Sequence, residues 1–247
     1  MTVDQLLMCA KPLFFDTNDE EWSYAFGGSG FVAAFGGAQY VITARHCFEN
    51  ENKWQPEQLR CGLDTNSGDF LPISFLIRIN MPGVLESDKF CDIVFFKIDS
   101  SLTTAAQLHA LHPVDLETCA RMQPINLEAG KSLLALKGYP TVLNQINYED
   151  RKLPARPYSI TGTYAGAAPF PKGHLMKFHD VSLVAEHDGL SGSPVFLFST
   201  QPDLEFRFAG MHVRGGEFNR QIGCFIDAQV LFKALRQIQV KGCSLQP

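Results

Sequence analysis

Three short segments carry residue types that together can break an acyl bond: Ile42-Thr43-Ala44-Arg45-His46-Cys47, Cys91-Asp92-Ile93-Val94 and Gly189-Leu190-Ser191-Gly192-Ser193-Pro194. A serine hydroxyl is a weak nucleophile at neutral pH and needs a base within hydrogen-bond reach. Histidine supplies that base because its pKa lies near the working pH. An aspartate can fix the tautomer of the ring and stabilise the imidazolium. His46, Asp92 and Ser191 stand in that order, separated by 46 and then 99 residues. Unrelated architectures carry such a triad in different chain orders, so the order His, Asp, Ser discriminates among them. The backbone N–H groups of Gly189 and Ser191 are the candidates for receiving a developing oxyanion. A glycine at 189 suits a tight turn with an unusual backbone angle.

Each residue alone has a plainer account: a serine in Gly-x-Ser-Gly as a turn, a histidine as a structural group, an aspartate as a cap. Their joint order and strand contexts favour the catalytic account. The nucleophile elbow of α/β-hydrolases fits poorly. It needs glycine two residues after the serine, where this chain has Ser193, and a histidine after the serine, where only His212 follows.

The elements that must position these groups read as strands. Gly27-Gly28-Ser29-Gly30 reads as a turn or loop, and Phe31–Phe35 as a strand. Gly36-Gly37 reads as a hairpin, and Gln39–Ala44 as the returning strand that delivers His46. Leu71–Ile79 and Ile93–Ile98 are further β-rich runs. Leu102–His112 reads as a linker with a helical turn. Ser132–Gly138, Ser159–Tyr164, His179–Val184, Val195–Phe198 and Phe206–Val213 form a second strand set, broken into short pieces at Gly162 and Gly166. Near the end Val230, Leu231, Ala234, Leu235 and Ile238 recur at helical spacing, with Lys233 and Arg236 outside the stripe, and Gly242 stops the helix. Many short strands with Gly and Pro turns predict an all-β sandwich or barrel.

Composition narrows the function classes. The chain has 247 residues, 45% hydrophobic and 19% charged, enough apolar material for a sizeable core. A net charge of −5 gives no basic field, so neither a nucleic-acid nor a membrane partner is expected. No apolar run reaches a membrane-spanning length of about 18 residues. The start lacks the basic and long apolar regions of a signal peptide. The seven cysteines include no C-x-x-C pair. Reduced thiols and a cytoplasmic location are expected, with no metal site. The acidic run from Asp16 to Glu21 fits no calcium-loop spacing and reads as a solvated face.

At the three motifs the chain resembles the trypsin/chymotrypsin-like serine proteases. Gly28-Ser29-Gly30-Phe31-Val32 through His46-Cys47 is similar to that family's hairpin ending at the catalytic histidine. Cys91-Asp92-Ile93-Val94 is similar to its aspartate strand, and Gly189–Pro194 to its nucleophile loop. Motif-bearing likeness covers roughly residues 24–100 and 180–240. Within the family the likeness is greatest to the glutamyl endopeptidase branch and, in one pocket residue, to viral 3C-like enzymes. Gly210-Met211-His212-Val213-Arg214-Gly215-Gly216 carries it.

The resemblance implies two six-stranded antiparallel β-barrels of chymotrypsin-like type with a C-terminal α-helix. Residues 1–115 would carry His46 and Asp92; residues 116–247 would carry Ser191, with the closing helix at about 228–240. It implies a serine endopeptidase acting on a polypeptide substrate, with no cofactor. His212 would sit in the primary pocket and hydrogen-bond a Glu or Gln side chain before the cut bond. Val213, Arg214 and Gly215 would pair with the extended substrate backbone. An inward-pointing Glu186 would instead favour Lys or Arg.

The chain also departs from the family pattern. Cys47 follows the histidine as in secreted members, but Phe31 stands where its disulfide partner is expected. No Ile-Val-Gly-Gly-like clipped terminus is visible, and Leu190 replaces the aspartate that would receive it. These departures point to a protease made in working form or gated by a regulatory partner protein. The alternative is a catalytically silent binding module on the same fold.

Overall fold

The computed structural model describes residues 8–21, 23–47, 54–63, 69–78, 92–122, 125–149, 153, 155–179, 188–199, 205–215 and 221–240. In chain order the strands are β1 (Ala10–Asp16), β2 (Tyr24–Phe35), β3 (Ala38–Thr43), β4 (Leu59–Gly62), β5 (Phe70–Leu71), β6 (Ile73–Arg78) and β7 (Val94–Ile98). Helix α1 (Ala105–Ala110), β8 (Val114–Asp115) and α2 (Leu116–Arg121) follow. Then come β9 (Leu133–Gly138), β10 (Tyr158–Ala167), β11 (Gly173–Phe178), β12 (Pro194–Ser199), β13 (Glu205–Gly215), β14 (Ile222–Asp227) and α3 (Ala228–Val240).

Strands β9 to β14 close into a six-stranded antiparallel barrel in the order β10-β11-β14-β13-β12-β9. The N-terminal strands form an eight-stranded sheet in the order β5-β4-β1-β2-β3-β7-β6, with β8 pairing parallel to β2 off that path. The mostly-β, chymotrypsin-like class is as expected. Among the described residues the N-terminal sheet has eight strands, where six were expected.

Why the N-terminal strands read as continuous apolar runs is clear from their two faces. Side chains alternate across a strand. Phe31 and Ala33 of β2, Tyr40 and Ile42 of β3 and Phe95 of β7 enter one core cluster. Their neighbours Val32, Val41, Val94, Phe96 and Ile98 enter another. The first cluster is shared with Phe196, Phe208 and Met211 of the barrel and with Val230, Leu231 and Leu235 of α3, so it joins the two halves. Each such Phe or Leu stabilises by about 1.5–3 kcal/mol when fully buried. A third cluster fills the barrel, from Leu134, Leu136, Met176 and Phe178 to Leu190 of the nucleophile loop.

Several elements differ from the sequence reading. Gly27–Gly30 is not a loop but the middle of β2. β10 runs unbroken through Gly162 and Gly166, with a register shift absorbing the second glycine. A strand precedes His179, at Gly173–Phe178; the expected strand His179–Val184 lies, apart from His179, outside the described residues. β1, β4, β8 and β14 were not anticipated. The closing helix spans 228–240 as read. Leu102–His112 contains α1, opened by a Thr104/Gln107 capping box.

Candidate active site

The register of two strands brings His46 and Asp92 together. β3 and β7 are antiparallel with Thr43 opposite Val94. Continuing the pairing past the strand ends sets Arg45 opposite Asp92, and the Arg45 N–H donates to the Asp92 carbonyl at 3.3 Å. A single helical turn, Arg45–Cys47, then presents the imidazole. Both carboxylate oxygens of Asp92 hold His46. Oδ1 accepts its main-chain N–H at 2.9 Å, and Oδ2 meets ring Nδ1 in a very short contact. The two bonds fix the ring's position and direction. The aspartate side chain is 13% exposed and the histidine 49%. The His46 pKa is pushed up to about 10: burial of the ring works against this, and the Asp92 hydrogen bond, helped by the Cys47 thiol and the Asp92 charge, outweighs it.

Ser191 lies in the loop between Asp188 and β12. Gly189 and Gly192 flank it with φ of +82° and +89°, the left-handed region that favours glycine. Space demands glycine too. A Cβ at 192 would lie 2.1 Å from the Ser29 carbonyl oxygen, and one at 189 would lie 2.6 Å from the Thr141 nitrogen and the Tyr139 oxygen. The Cys47 thiol approaches the Ser191 carbonyl at 3.5 Å, which sets Ser191 beside the residue after His46.

Three consecutive peptides of this loop have anchored carbonyls. Thr141 N–H donates to Asp188 O at 2.9 Å. The Ser29 hydroxyl donates to Gly189 O at 2.6 Å. Leu190 O accepts from Ser193 N–H at 3.0 Å and lies 3.3 Å from His212 Nδ1. A trans peptide points its N–H opposite its C=O. Anchoring Asp188 O therefore aims the Gly189 N–H, and anchoring Leu190 O aims the Ser191 N–H. No hydrogen bond engages either N–H among the described residues.

The Ser191 hydroxyl donates to Val213 O at 3.1 Å.

His212 is 1% exposed, beneath the nucleophile loop. Its N–H donates to Ser193 O and its carbonyl accepts Gly192 N–H, both at 2.8 Å. Its ring centroid lies 6.2 Å from that of Phe178, and a Cβ on Gly223 would come within 2.9 Å of Nε2. Pairing of β13 with β12 ends at Met211, while pairing with β14 runs on to Gly215. Arg214 extends its guanidinium over Phe170, 5.9 Å from the ring centroid. Glu186, His187 and Cys91 lie outside the described residues.

The thiol facing the expected disulfide position also differs from the reading. A Cβ on Gly28, not Phe31, would lie 3.6 Å from Cys47 Sγ. Glycine there leaves Cys47 a thiol, and Cys9, Cys61, Cys119 and Cys224 are likewise in no disulfide. Among the described residues no group of three or more His, Cys, Asp or Glu side chains could hold a metal ion. No helix among them is long and apolar enough to cross a membrane.

Sequence reasoning missed Ser29, Thr43 and Thr141, which shape the site without bearing on the chemistry directly. Thr43 donates its hydroxyl to Ser29 O at 2.7 Å. Asn144, fully buried, ties the segment after Thr141 together through Pro140 O and the main chain of Arg156. Only their closeness in sequence to Gly-rich or Pro-containing stretches could have marked them.

No family model matches this chain, and no curated protein matches its sequence. Among solved structures it is similar to the active form of the Rv3671c protease from M. tuberculosis. The TM-score is 0.55 at 13% identity, over 99% of this chain and 85% of that one. At that identity the likeness shows a protease-type fold and nothing finer.

Proposed function

We propose that the chain is a serine endopeptidase that cuts polypeptides through His46, Asp92 and Ser191. The observation that carries this reading is the double grip of Asp92 on His46, at main chain and ring, beside a loop that carries Ser191 between two left-handed glycines. In this reading His46 loses its proton and Nε2 then takes the Ser191 hydroxyl proton as Oγ attacks the substrate carbonyl. The tetrahedral oxyanion is received by the N–H groups of Gly189 and Ser191. The imidazolium, held by Asp92, next protonates the leaving amine. Water repeats the sequence on the acyl-enzyme and releases the acid.

Val213, Arg214 and Gly215 would pair with the substrate backbone beyond the point where β12 leaves β13. His212 is the proposed recognition group for Glu or Gln before the cut bond; Glu186 is the rival group, for Lys or Arg. Control by a partner or ligand would act on the Ser191 hydroxyl, which rests on Val213 O and must turn toward His46 before turnover. The same arrangement, unrelieved, would give a silent binding module.

Cleavage-site profiling on a peptide library, with wild type beside Ser191→Ala, tests the reading. Wild-type cuts after Glu or Gln that vanish in Ser191→Ala are the expected result, and a fluorophosphonate probe should label only the wild type. Cuts after Lys or Arg would move specificity to Glu186. Hydrolysis persisting in Ser191→Ala would overturn the triad.

A further inference from the structure

Leu190 is fully buried in the barrel core and supplies only apolar packing. Gly189, just before it, populates left- and right-handed backbone about equally when unrestrained. Its peptides can therefore turn over at small intrinsic cost, and external bonds must decide their direction.

Ser29 supplies such bonds from the other half of the molecule. It lies in β2, fully buried. Its oxygen accepts the Tyr139 N–H at 2.7 Å, and its single hydroxyl proton goes to Gly189 O at 2.6 Å. Tyr139 leads into Pro140 and Thr141, whose N–H holds Asp188 O. One side chain thus grips both the loop and the wall that aims the Gly189 N–H. Behind it, the Thr43 hydroxyl holds Ser29 O, so two hydrogen bonds link the His46-bearing strand to the Ser191-bearing loop. Gly138 leaves the room for this: a Cβ there would come within 2.8 Å of Ser29 Oγ and 2.0 Å of Ser193 Oγ.

We propose that Ser29 is a positioning residue that latches the Gly189 peptides in the orientation that receives the oxyanion; this rests on the protease reading above. Ser29 touches neither substrate nor the reacting atoms in this proposal. It acts only through Gly189 and Thr141. Hydrogen bonds in series strengthen one another in a low-dielectric interior, and removing the hydroxyl would take a partner from the buried Tyr139 N–H and from the half-buried Gly189 carbonyl.

The test compares wild type, Ser29→Ala and Ser29→Cys, the last retaining a weak donor in place of the hydroxyl. Three quantities are read: kcat and KM on a peptide substrate, and inhibition by a peptide aldehyde beside its unreactive amide analogue. The aldehyde adduct places an oxygen against the Gly189 and Ser191 N–H groups; the amide only fills the cleft. Ser29→Ala should lower kcat about 10²–10³-fold, the typical effect of losing one oxyanion donor. KM and amide affinity should stay within about threefold while aldehyde affinity falls with kcat. Ser29→Cys should fall between, and it carries the same ordering if Ser29→Ala does not fold.

Unchanged kcat in the variants would overturn the latch. So would a parallel loss of aldehyde and amide binding, which is what general loosening would produce. A wild type that neither cleaves nor takes the aldehyde would overturn the protease reading instead. In that case amide exchange across residues 188–192 decides the latch: faster exchange in Ser29→Ala supports it, and unchanged exchange overturns it.

Discussion

Among the described residues there are two histidine–aspartate pairs, and they are built differently. In the N-terminal sheet, Asp92 directs both carboxylate oxygens at His46, whose ring is half exposed. In the barrel, His174 Nε2 meets Asp227 Oδ2 at 3.0 Å, and its Nδ1 meets the Tyr164 hydroxyl at 3.2 Å. Both nitrogens of His174 are therefore engaged, and only 18% of its side chain is exposed. Asp227 divides its oxygens: the second accepts Gln229 N–H at 2.6 Å, in the first turn of α3. The barrel pair lines a cavity of about 180 Å³ with Cys119, Arg207 and Phe232, which shares no residue with His46, Asp92 or Ser191. Residue types alone do not make a catalytic dyad. What differs is whether the aspartate spends both oxygens on the histidine.

The sharpest way to break this comparison is to neutralise each aspartate in turn. Asp92→Asn should lower kcat by about 10⁴, the scale seen when a triad aspartate is replaced and the imidazole tautomer is lost. Asp227→Asn should leave kcat within about twofold. Steady-state kinetics of the two variants measure this, and equal losses would mean the pairs are not functionally distinct.

A second contrast is in pH. On the protease reading His46 must be neutral to act as a base, and its pKa is pushed up to about 10, against the ordinary value near 6.5. The profile of kcat/KM should therefore keep rising with pH through neutrality and level only toward pH 10. Removing the carboxylate in Asp92→Asn should move the rising limb down toward the ordinary histidine range, and Asp227→Asn should leave it in place. A wild-type profile that levels below pH 7 would show that Asp92 does not hold the proton on His46.

This contrast also explains what could be read in the sequence. His46, Asp92 and the β3–β7 pair were legible because a single register defines them, and apolar runs mark both strands. The closing helix was legible from its 3.6-residue stripe. Ser29 was not, since Gly27–Gly30 has turn composition; pairing with β1 overrides that local preference. The disulfide position was misassigned to Phe31 for the same reason, because the strand through these glycines sets Gly28 opposite Cys47. His174 and Asp227 carried no signal, being 53 residues apart on strands β11 and β14 whose pairing has no local cause.

The smallest effect separates the two tasks of Asp227. Asparagine caps a helix about as well as aspartate, whereas alanine costs about 1 kcal/mol. Asp227→Ala should therefore lose roughly that much stability even at low pH, and the charge-dependent part as well near neutrality. Asp227→Asn should lose only what depends on charge. Burial raises the Asp227 pKa, but His174, the Gln229 N–H and Lys172 outweigh it and hold the carboxyl below its usual range. A carboxyl whose pKa is lower when folded adds stability that is present above its unfolded pKa of about 3.9 and is lost as pH falls through the folded value. Denaturant titrations should show wild type more stable than Asp227→Asn at pH 7, with the gap closing below about pH 4. A gap independent of pH would mean that the pair contributes by shape and not by charge, and the resemblance to the Asp92–His46 pair would then end at the residue names.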